Sequence, residues 1–177
     1  YYNQDLPAPK LYDKRNEPIH PYVDDYRKIF AYDEYFETPD MVKRAQAGYL
    51  GLVSFMDEQV GLVLSALEKA GLSDSTRVVY TTDHGDNMGT RGAWGKSLMY
   101  EEAVAVPMIA AGPGIPAGTV VEAPSTIIDI YPFIMDCVGE RDKETVSDDV
   151  PGNSLFELID NDDPNRVAFS EYHAMGS

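Results

Sequence analysis

Basic residues are scarce in this 177-residue chain, which carries 14 Lys and Arg against 30 Asp and Glu. The formal net charge of −16 excludes most nucleic-acid binding, because affinity for a phosphate backbone comes from clustered Lys and Arg. A bare anionic membrane surface is disfavoured for the same reason. We also find no stretch that approaches the roughly 20 apolar residues needed to span a bilayer. The sequence therefore predicts neither a nucleic acid nor a membrane as partner.

Cysteine is almost absent, since Cys137 is the only one in the sequence. A single cysteine forms no internal disulfide, and no Cys/His cluster has the spacing of a structural zinc site. The first residues lack the basic start and apolar run of a signal peptide. The chain opens without Met, so we expect a segment of a longer protein, and localisation stays open between cytoplasm and periplasm.

Apolar residues make up 44% of the chain, enough for one sizeable core and one domain. Residues 1–38 are rich in Tyr and Pro without a helical or alternating period, which predicts a long ordered loop that borders a site. From residue 39 the apolar positions recur at three- and four-residue steps. This period predicts one long helix, capped by Thr38 or Asp40 and ended by Gly71.

The remainder of the chain alternates between short apolar runs and one further helix. Residues 77–82, 107–111 and 166–172 are typical of strands, residues 127–138 of a helix ended by Gly139, and residues 154–159 of a short helical turn. A helix followed by a buried strand indicates an α/β fold with a mostly parallel sheet flanked by helices.

The segment TTDHGDNMG at residues 81–89 follows the first of these strands directly. Open α/β sheets build their sites at the carboxyl ends of strands. Asp83 and His84 offer an oxygen and an imidazole nitrogen on adjacent residues, which suits a divalent cation. The alternative is a polar loop whose Asp caps the next element, and the Asp-His-Gly tripeptide alone does not separate the two.

Three further motifs follow in order: GAWGK at residues 92–96, MYEE at 99–102 and VPMI at 106–109. Together with residues 81–86, the helix around residues 49–57 and IDIYP at 128–132, they resemble the sulfatases of the alkaline-phosphatase superfamily. The resemblance runs from about residue 40 to 140 and implies an alkaline-phosphatase-like fold, incomplete in this chain.

The resemblance implies hydrolysis of a small-molecule or carbohydrate sulfate ester. It assigns Asp83 and His84 as ligands of one divalent cation and Lys96 as the group that grips the sulfuryl oxygens. Fixed positive charges suit this chemistry, because attack on sulfur gathers negative charge on the surrounding oxygens. Calcium is the expected ion, while a His ligand also favours manganese or zinc.

One feature of the family is missing from the chain. Sulfatases carry their nucleophile as formylglycine, made from a Cys or Ser in a Cys/Ser-x-Pro-x-Arg frame upstream of the Asp-His-Gly segment. Nothing before residue 83 matches this frame, and Cys137 copies it only with Gly in place of Pro and in the wrong position. We therefore expect residues 1–177 to be part of one catalytic domain that lacks its N-terminal half, with residues 1–38 as an excursion and 39–177 as the α/β segment, inactive in isolation.

Weaker candidates remain beside this set. Arg91 and His173 are candidate substrate contacts, against the alternatives of a surface Arg and an ordinary His. Acidic residues 160–163 suggest an EF-hand loop, but Asn165 occupies the position of its invariant Gly. The alternative functions are a phosphodiesterase or phosphonate monoester hydrolase of the same superfamily, or a non-catalytic acidic binding module.

Overall fold

A computed structural model describes residues 1–17, 20–139 and 151–171 of the chain. It divides the chain into two compact units. The first unit comprises Tyr1–Ala70 and His84–Val106, and the second comprises Gly71–Asp83 and Pro107–Ser177. The boundary between the two units falls between Asp83 and His84, the two predicted metal ligands, which are adjacent in the chain.

The tyrosine-rich segment before residue 38 contains a helix, α1, at Pro21–Ile29. The prediction of an irregular loop is therefore wrong at these residues. Tyr22, Val23, Tyr26 and Ile29 recur at helical steps within it, but this apolar stripe is only two turns long and none of its residues is buried, so the sequence prediction missed it. His20 caps it, since the His20 Nδ1 accepts a 3.3 Å hydrogen bond from the backbone N–H of Tyr22. Two 3₁₀ turns, Tyr12–Lys14 and Tyr32–Tyr35, flank this helix.

The long helix predicted from the apolar period is α2, which runs from Pro39 to Lys69 over 31 residues. Thr38 is its N-cap, as expected, because its Oγ1 accepts a 3.3 Å hydrogen bond from the backbone N–H of Met41. The helix ends just before Gly71, whose φ of 67° lies in the left-handed region that favours glycine. Caps and period together define the bounds of this helix.

Helix α2 exposes much of its apolar surface, with Leu52, Phe55 and Val63 at least 60% exposed. An 18-residue window within it has a mean hydropathy of 1.4, and none of that window is buried. By length and composition alone the helix is therefore compatible with a membrane span, contrary to our expectation that no stretch approaches that length. The core helix of a soluble protein passes the same test, so this property by itself assigns no membrane.

Replacing Thr38 by alanine is expected to lower the free energy of unfolding by about 1 kcal/mol, because the cap hydrogen bond to the first turn of α2 is lost. Urea denaturation followed by far-UV circular dichroism measures this change. Thr119→Ala, at an exposed loop position, is the matched control. Equal stability of the two variants would contradict the capping role of Thr38.

A short hairpin in the first unit carries the segment that follows His84. Strand β2, Asn87–Met88, pairs antiparallel with β3, Trp94–Gly95, so that Met88 lies opposite Trp94. Helix α3, Glu101–Val104, forms a single turn after the hairpin. The pairing of the two strands fixes the register of the hairpin. It therefore also fixes the backbone position of Lys96, the residue that directly follows β3.

The second unit contains strand β1, Val78–Thr81, and strand β4, Met108–Ala111. These two strands pair antiparallel, with Val78 opposite Ala111 and Thr81 opposite Met108. The predicted parallel sheet is not confirmed, because both ladders within the described residues are antiparallel. The chain between β1 and β4 contains the hairpin and α3 instead of the crossover helix that parallel neighbours require.

The core of the second unit forms around Phe133, Leu155 and Leu158. Phe133 lies on helix α4, Ile130–Val138, which continues a 3₁₀ turn at Ile127–Asp129 and ends at Gly139, as predicted. The two leucines lie on helix α5, Leu155–Asp160, capped by Ser154. The predicted helical segments of this unit are therefore confirmed, and they pack together.

The predicted strand at residues 166–172 is wrong for residues 166–171, which form no strand, and residue 172 lies outside the described residues. Arg166 instead donates to both carboxylate oxygens of the fully buried Asp129, at 3.0 and 2.7 Å. Val167 and Phe169 are 82% and 70% exposed. Arg166 holds this segment in a loop conformation. The prediction of a strand rested on the apolar side chains of the segment, which are exposed.

Candidate active site

Asp83 and His84 follow β1 after one intervening residue, as the sequence predicts. Asp83 is exposed, and its Oδ1 accepts a hydrogen bond of 3.3 Å from the Thr82 hydroxyl. After His84 the backbone N–H of Gly85 donates to the carbonyl of Ala103 at 2.8 Å. A Cβ at Gly85 would lie 2.1 Å from the carbonyl oxygen of Glu102, so only glycine fits this close approach.

The structure brings His84 and Lys96 together. The Lys96 Nζ lies 2.6 Å from the His84 Nε2, although twelve residues separate them in the chain. An ammonium only donates, so Nε2 accepts and the imidazole proton lies on Nδ1. Nδ1 is 2.9 Å from the Gly85 carbonyl oxygen, to which it donates. His84 is thus held in the tautomer whose Nε2 lone pair faces the lysine.

This tautomer is the one that suits a metal ligand. A ligating imidazole usually donates its other N–H to a carbonyl or carboxylate, as Nδ1 does here. Asp83 adds a carboxylate oxygen from the preceding residue. In the part of the chain that the structure describes, no three His, Cys, Asp or Glu side chains are grouped closely enough to hold a metal ion. The chemistry of the two predicted donors suits a divalent cation, and their role as its ligands stays a prediction.

Asn87 is a polar residue of this loop that the sequence reading assigned no role. Its side chain is fully buried, and its Nδ2 donates to the Gly95 carbonyl at 2.9 Å. Its Oδ1 has no hydrogen-bond partner among the described residues. A buried amide oxygen without a donor is costly, which sets Asn87 apart from a surface Asn. Its position within the segment TTDHGDNMG at residues 81–89 is the signal that singles it out.

Arg91 contacts an aromatic ring of the same unit. Its guanidinium lies 4.5 Å from the centroid of the Tyr100 ring, a cation–π contact. Its backbone has a φ of 55°, and its N–H donates to the Lys10 carbonyl. These contacts describe a fixed arginine, and none of them tests its predicted contact with substrate. His173, the other predicted substrate contact, lies outside the described residues.

Two weaker candidates have contacts that suit a structural role. Cys137 is half-buried and packs against the core of the second unit. In the acidic turn, the Asp162 Oδ1 accepts a hydrogen bond from the backbone N–H of Ala123. The Asp163 Oδ1 accepts one from the backbone N–H of Asn165 and one from its side-chain amide. The carboxylates of this turn therefore stabilise the loop.

In the first unit the ammonium of Lys96 and the imidazole of His84 are in contact, and Asp83 directly precedes this imidazole in the chain. The family model of the sulfatases matches residues 14–140 of the chain. The chain belongs to the sulfatase family. The match begins within the excursion, so part of the tyrosine-rich segment belongs to the family region as well.

Individual proteins agree with this family. The chain is 31% identical to a choline-sulfatase from Rhizobium meliloti over 82% of its own length and 28% of that protein. Among solved structures, it is similar to a phosphonate monoester hydrolase from Silicibacter pomeroyi, with 30% identity and a TM-score of 0.77 over 93% of this chain and 33% of that one.

A second solved structure contains its substrate, D-glucosamine-2-N,6-O-disulfate. The similarity to that protein has 29% identity and a TM-score of 0.69, and it covers 88% of this chain and 32% of the other. The chain thus spans about a third or less of the length of these relatives. These likenesses confirm an alkaline-phosphatase-like fold at the level of its class.

Proposed function

We propose that the protein containing this chain hydrolyses sulfate esters, with Asp83, His84 and Lys96 in its active site. The 2.6 Å contact between Lys96 and His84 carries this proposal, because it joins two motifs of a sulfatase-family chain at one point. The non-catalytic binding module is disfavoured, because the similar proteins are named as sulfatases and a phosphonate monoester hydrolase and the motif residues are present in this chain.

In this proposal Lys96 binds the sulfuryl group as a compact point charge. A sulfate monoester is an anion, and its oxygens gain negative charge during attack on sulfur. An ammonium that donates to these oxygens lowers the energy of the transition state more than that of the ground state. Arg91 and His173 are proposed as further contacts of the ester.

Asp83 and His84 would hold one divalent cation, with calcium expected and manganese or zinc as alternatives. A bound cation supplies Lewis-acid stabilisation of negative charge. The Gly85 carbonyl keeps the His84 proton on Nδ1, so Nε2 can bind a cation without losing a proton once Lys96 moves away from it. The exposed Asp83 carboxylate lowers the charge cost of bringing the cation there.

We propose further that the chain is the C-terminal portion of a catalytic domain, in which other parts supply the nucleophile and the remaining metal ligands. This agrees with the coverage of about a third of the relatives and with the two donors found among the described residues. The formylglycine that the family uses would lie in that other part.

The substrate class proposed is a small-molecule or carbohydrate sulfate ester. Two similar proteins support this class, one named a choline-sulfatase and the other solved with its substrate D-glucosamine-2-N,6-O-disulfate. The excursion at residues 1–38 carries exposed tyrosines, including Tyr1, Tyr2 and Tyr35, whose rings are suited to stack on a sugar or a cationic head group.

A phosphonate monoester hydrolase is the second candidate, favoured by the likeness to the Silicibacter pomeroyi enzyme. A cation and a lysine hold either tetrahedral anion, so these groups alone do not separate the two activities. We expect the full-length enzyme to hydrolyse an aryl sulfate with a kcat/KM at least about 10-fold above that for the matched aryl phosphonate. This corresponds to about 1.4 kcal/mol of transition-state preference. The reverse order would replace the sulfatase assignment with the phosphonate one.

A further inference from the structure

We infer that Asp33 is a positioning residue for Lys96, acting through the indole of Trp94. The inference rests on the proposed function, since Lys96 is taken as the group that binds the sulfuryl oxygens. Asp33 lies in the 3₁₀ turn Tyr32–Tyr35 of the excursion, and Trp94 precedes Lys96 by two residues. All three residues belong to the first unit.

One carboxylate oxygen of Asp33 receives two hydrogen bonds. Its Oδ1 accepts from the Trp94 Nε1 at 2.9 Å and from the Tyr12 hydroxyl at 3.0 Å. The other oxygen, Oδ2, lies 3.4 Å from the Arg15 Nε. The Asp33 side chain is 23% exposed, so water competes for these contacts less than at an open surface. Bonds to an ionised acceptor are the stronger ones, which makes Asp33 the polar centre of this cluster.

The indole of Trp94 is held by a stacking contact on its ring face as well as by the hydrogen bond from its nitrogen. Its ring stacks on Phe36 with centroids 4.0 Å apart and planes at 24°, and only 8% of the residue is exposed. A buried indole needs a partner for its N–H, and Asp33 provides it. Burial and the hydrogen bond to Asp33 both raise the pKa of Tyr12, which keeps its hydroxyl a donor to the same oxygen.

The hairpin connects the position of Trp94 to that of Lys96, because Lys96 directly follows β3. Trp94 is paired with Met88 and Gly95 with Asn87, so a shift of the indole moves β3 and the residue after it. The excursion also packs closely against the loop of the hairpin. A Cβ at Gly92 would lie 2.7 Å from the Arg15 Cβ, and one at Gly89 would lie 2.8 Å from the Pro9 Cγ. The loop of the hairpin, which leads into β3 and then Lys96, therefore packs directly against Pro9 and Arg15 of the excursion.

The test uses the full-length enzyme with substitutions at position 33. Asp33→Asn keeps an oxygen to which both Trp94 and Tyr12 can donate, while it removes the carboxylate charge and replaces the oxygen that faces Arg15 with an amide NH₂. Asp33→Ala removes the acceptor altogether. We expect Asp33→Ala to lower kcat/KM for an aryl sulfate about 10-fold per folded molecule, and Asp33→Asn to lower it less than about threefold. Asp13→Ala, at an exposed carboxylate of the same excursion, is the control and should match the wild type.

A double-mutant cycle separates positioning from general stabilisation. If Asp33 acts through Lys96, then Asp33→Ala combined with Lys96→Ala loses no more activity than Lys96→Ala alone. If Asp33 merely stabilises the fold, its effect is the same with and without Lys96. Multiplied losses in the double variant would overturn the inference.

A spectroscopic readout tests the same link without activity. Trp94 is the only tryptophan in the 177 residues, so its ¹⁹F signal in protein labelled with 5-fluorotryptophan is assigned by Trp94→Phe. We expect Asp33→Ala to shift this signal and also the imidazole signals of His84, while Asp33→Asn leaves both near their wild-type positions. An enzyme that hydrolyses no sulfate ester but shows these shifts would refute the proposed function and retain the anchoring by Asp33. Unmoved signals in Asp33→Ala would overturn the anchoring itself.

Discussion

Lys96→Ala in the full-length enzyme is expected to lower kcat/KM for a chromogenic aryl sulfate by a factor of about 100 or more. Removing one key electrostatic donor has an effect of this size in other hydrolytic enzymes. The loss arises because the compact positive charge aimed at the sulfuryl oxygens is removed. Lys96→Arg is expected to recover little, since a planar guanidinium does not reproduce a compact ammonium that already lies 2.6 Å from an imidazole nitrogen.

The matched control is Lys69→Ala, which removes an exposed lysine from the last turn of α2. Activity is compared per folded molecule, with thermal unfolding and circular dichroism used to measure the folded fraction. Wild-type turnover in Lys96→Ala would remove this residue from the active site. An equal loss in Lys69→Ala would show that loss of any lysine lowers activity.

Asp83→Ala and His84→Ala are each expected to weaken binding of the divalent cation and to lower turnover at ordinary metal concentrations by about 100-fold or more. In the proposed site, each variant removes one of the two donors that this chain would contribute to the coordination shell. Because the defect is in affinity, a large excess of the cation should restore part of the activity of each variant. Chelation should abolish wild-type turnover, and added calcium, manganese or zinc should restore it in an order that identifies the ion.

Calorimetric titration of the metal-free enzyme measures the affinity directly. Asp74→Ala is the control for Asp83, because it removes an exposed carboxylate from a nearby 3₁₀ turn, Ser73–Ser75. Wild-type metal affinity in both ligand variants would exclude Asp83 and His84 as ligands, whatever the effect on turnover.

The regular elements with strong local signals are the ones that the sequence predicts well. Helix α2 has a cap at Thr38, a sustained apolar period and a left-handed glycine at position 71, and each of these signals acts on the few residues next to it. The helix at residues 130–138 is marked in the same way by Gly139. Such signals are sufficient because each depends on the chain nearby and not on a distant partner.

Strand pairing depends on what lies beside the strand, which the apolar pattern does not encode. The run at residues 77–82 predicts a strand, and β1 confirms it, but its antiparallel partner β4 follows only after the hairpin and α3. Residues 166–171 have the composition of a strand and form none, because Arg166 bonds to the buried Asp129. A long-range ion pair of this kind leaves no periodic trace in the sequence.

The same distinction holds within the site. Asp83, His84 and Lys96 stand in motifs whose order suggests one site, and the contact between His84 and Lys96 lies within that set. Asp33 is different, because it lies 61 residues before Trp94 in a segment without a recognisable pattern. Only the fold brings the carboxylate of Asp33 to the indole of Trp94. The proposed role of Asp33 therefore follows from the contacts in the structure and not from the sequence.

The central claim is that Asp83 and His84 bind a cation beside an anion held by Lys96. A crystal structure of the full-length enzyme with its divalent cation and inorganic sulfate measures this most directly. We predict the cation bonded to a carboxylate oxygen of Asp83 and to the His84 Nε2, with the Lys96 Nζ turned from that nitrogen to a sulfate oxygen, because one lone pair cannot serve both cations. A cation bound elsewhere, with Lys96 still on His84 and no sulfate beside it, would contradict the account.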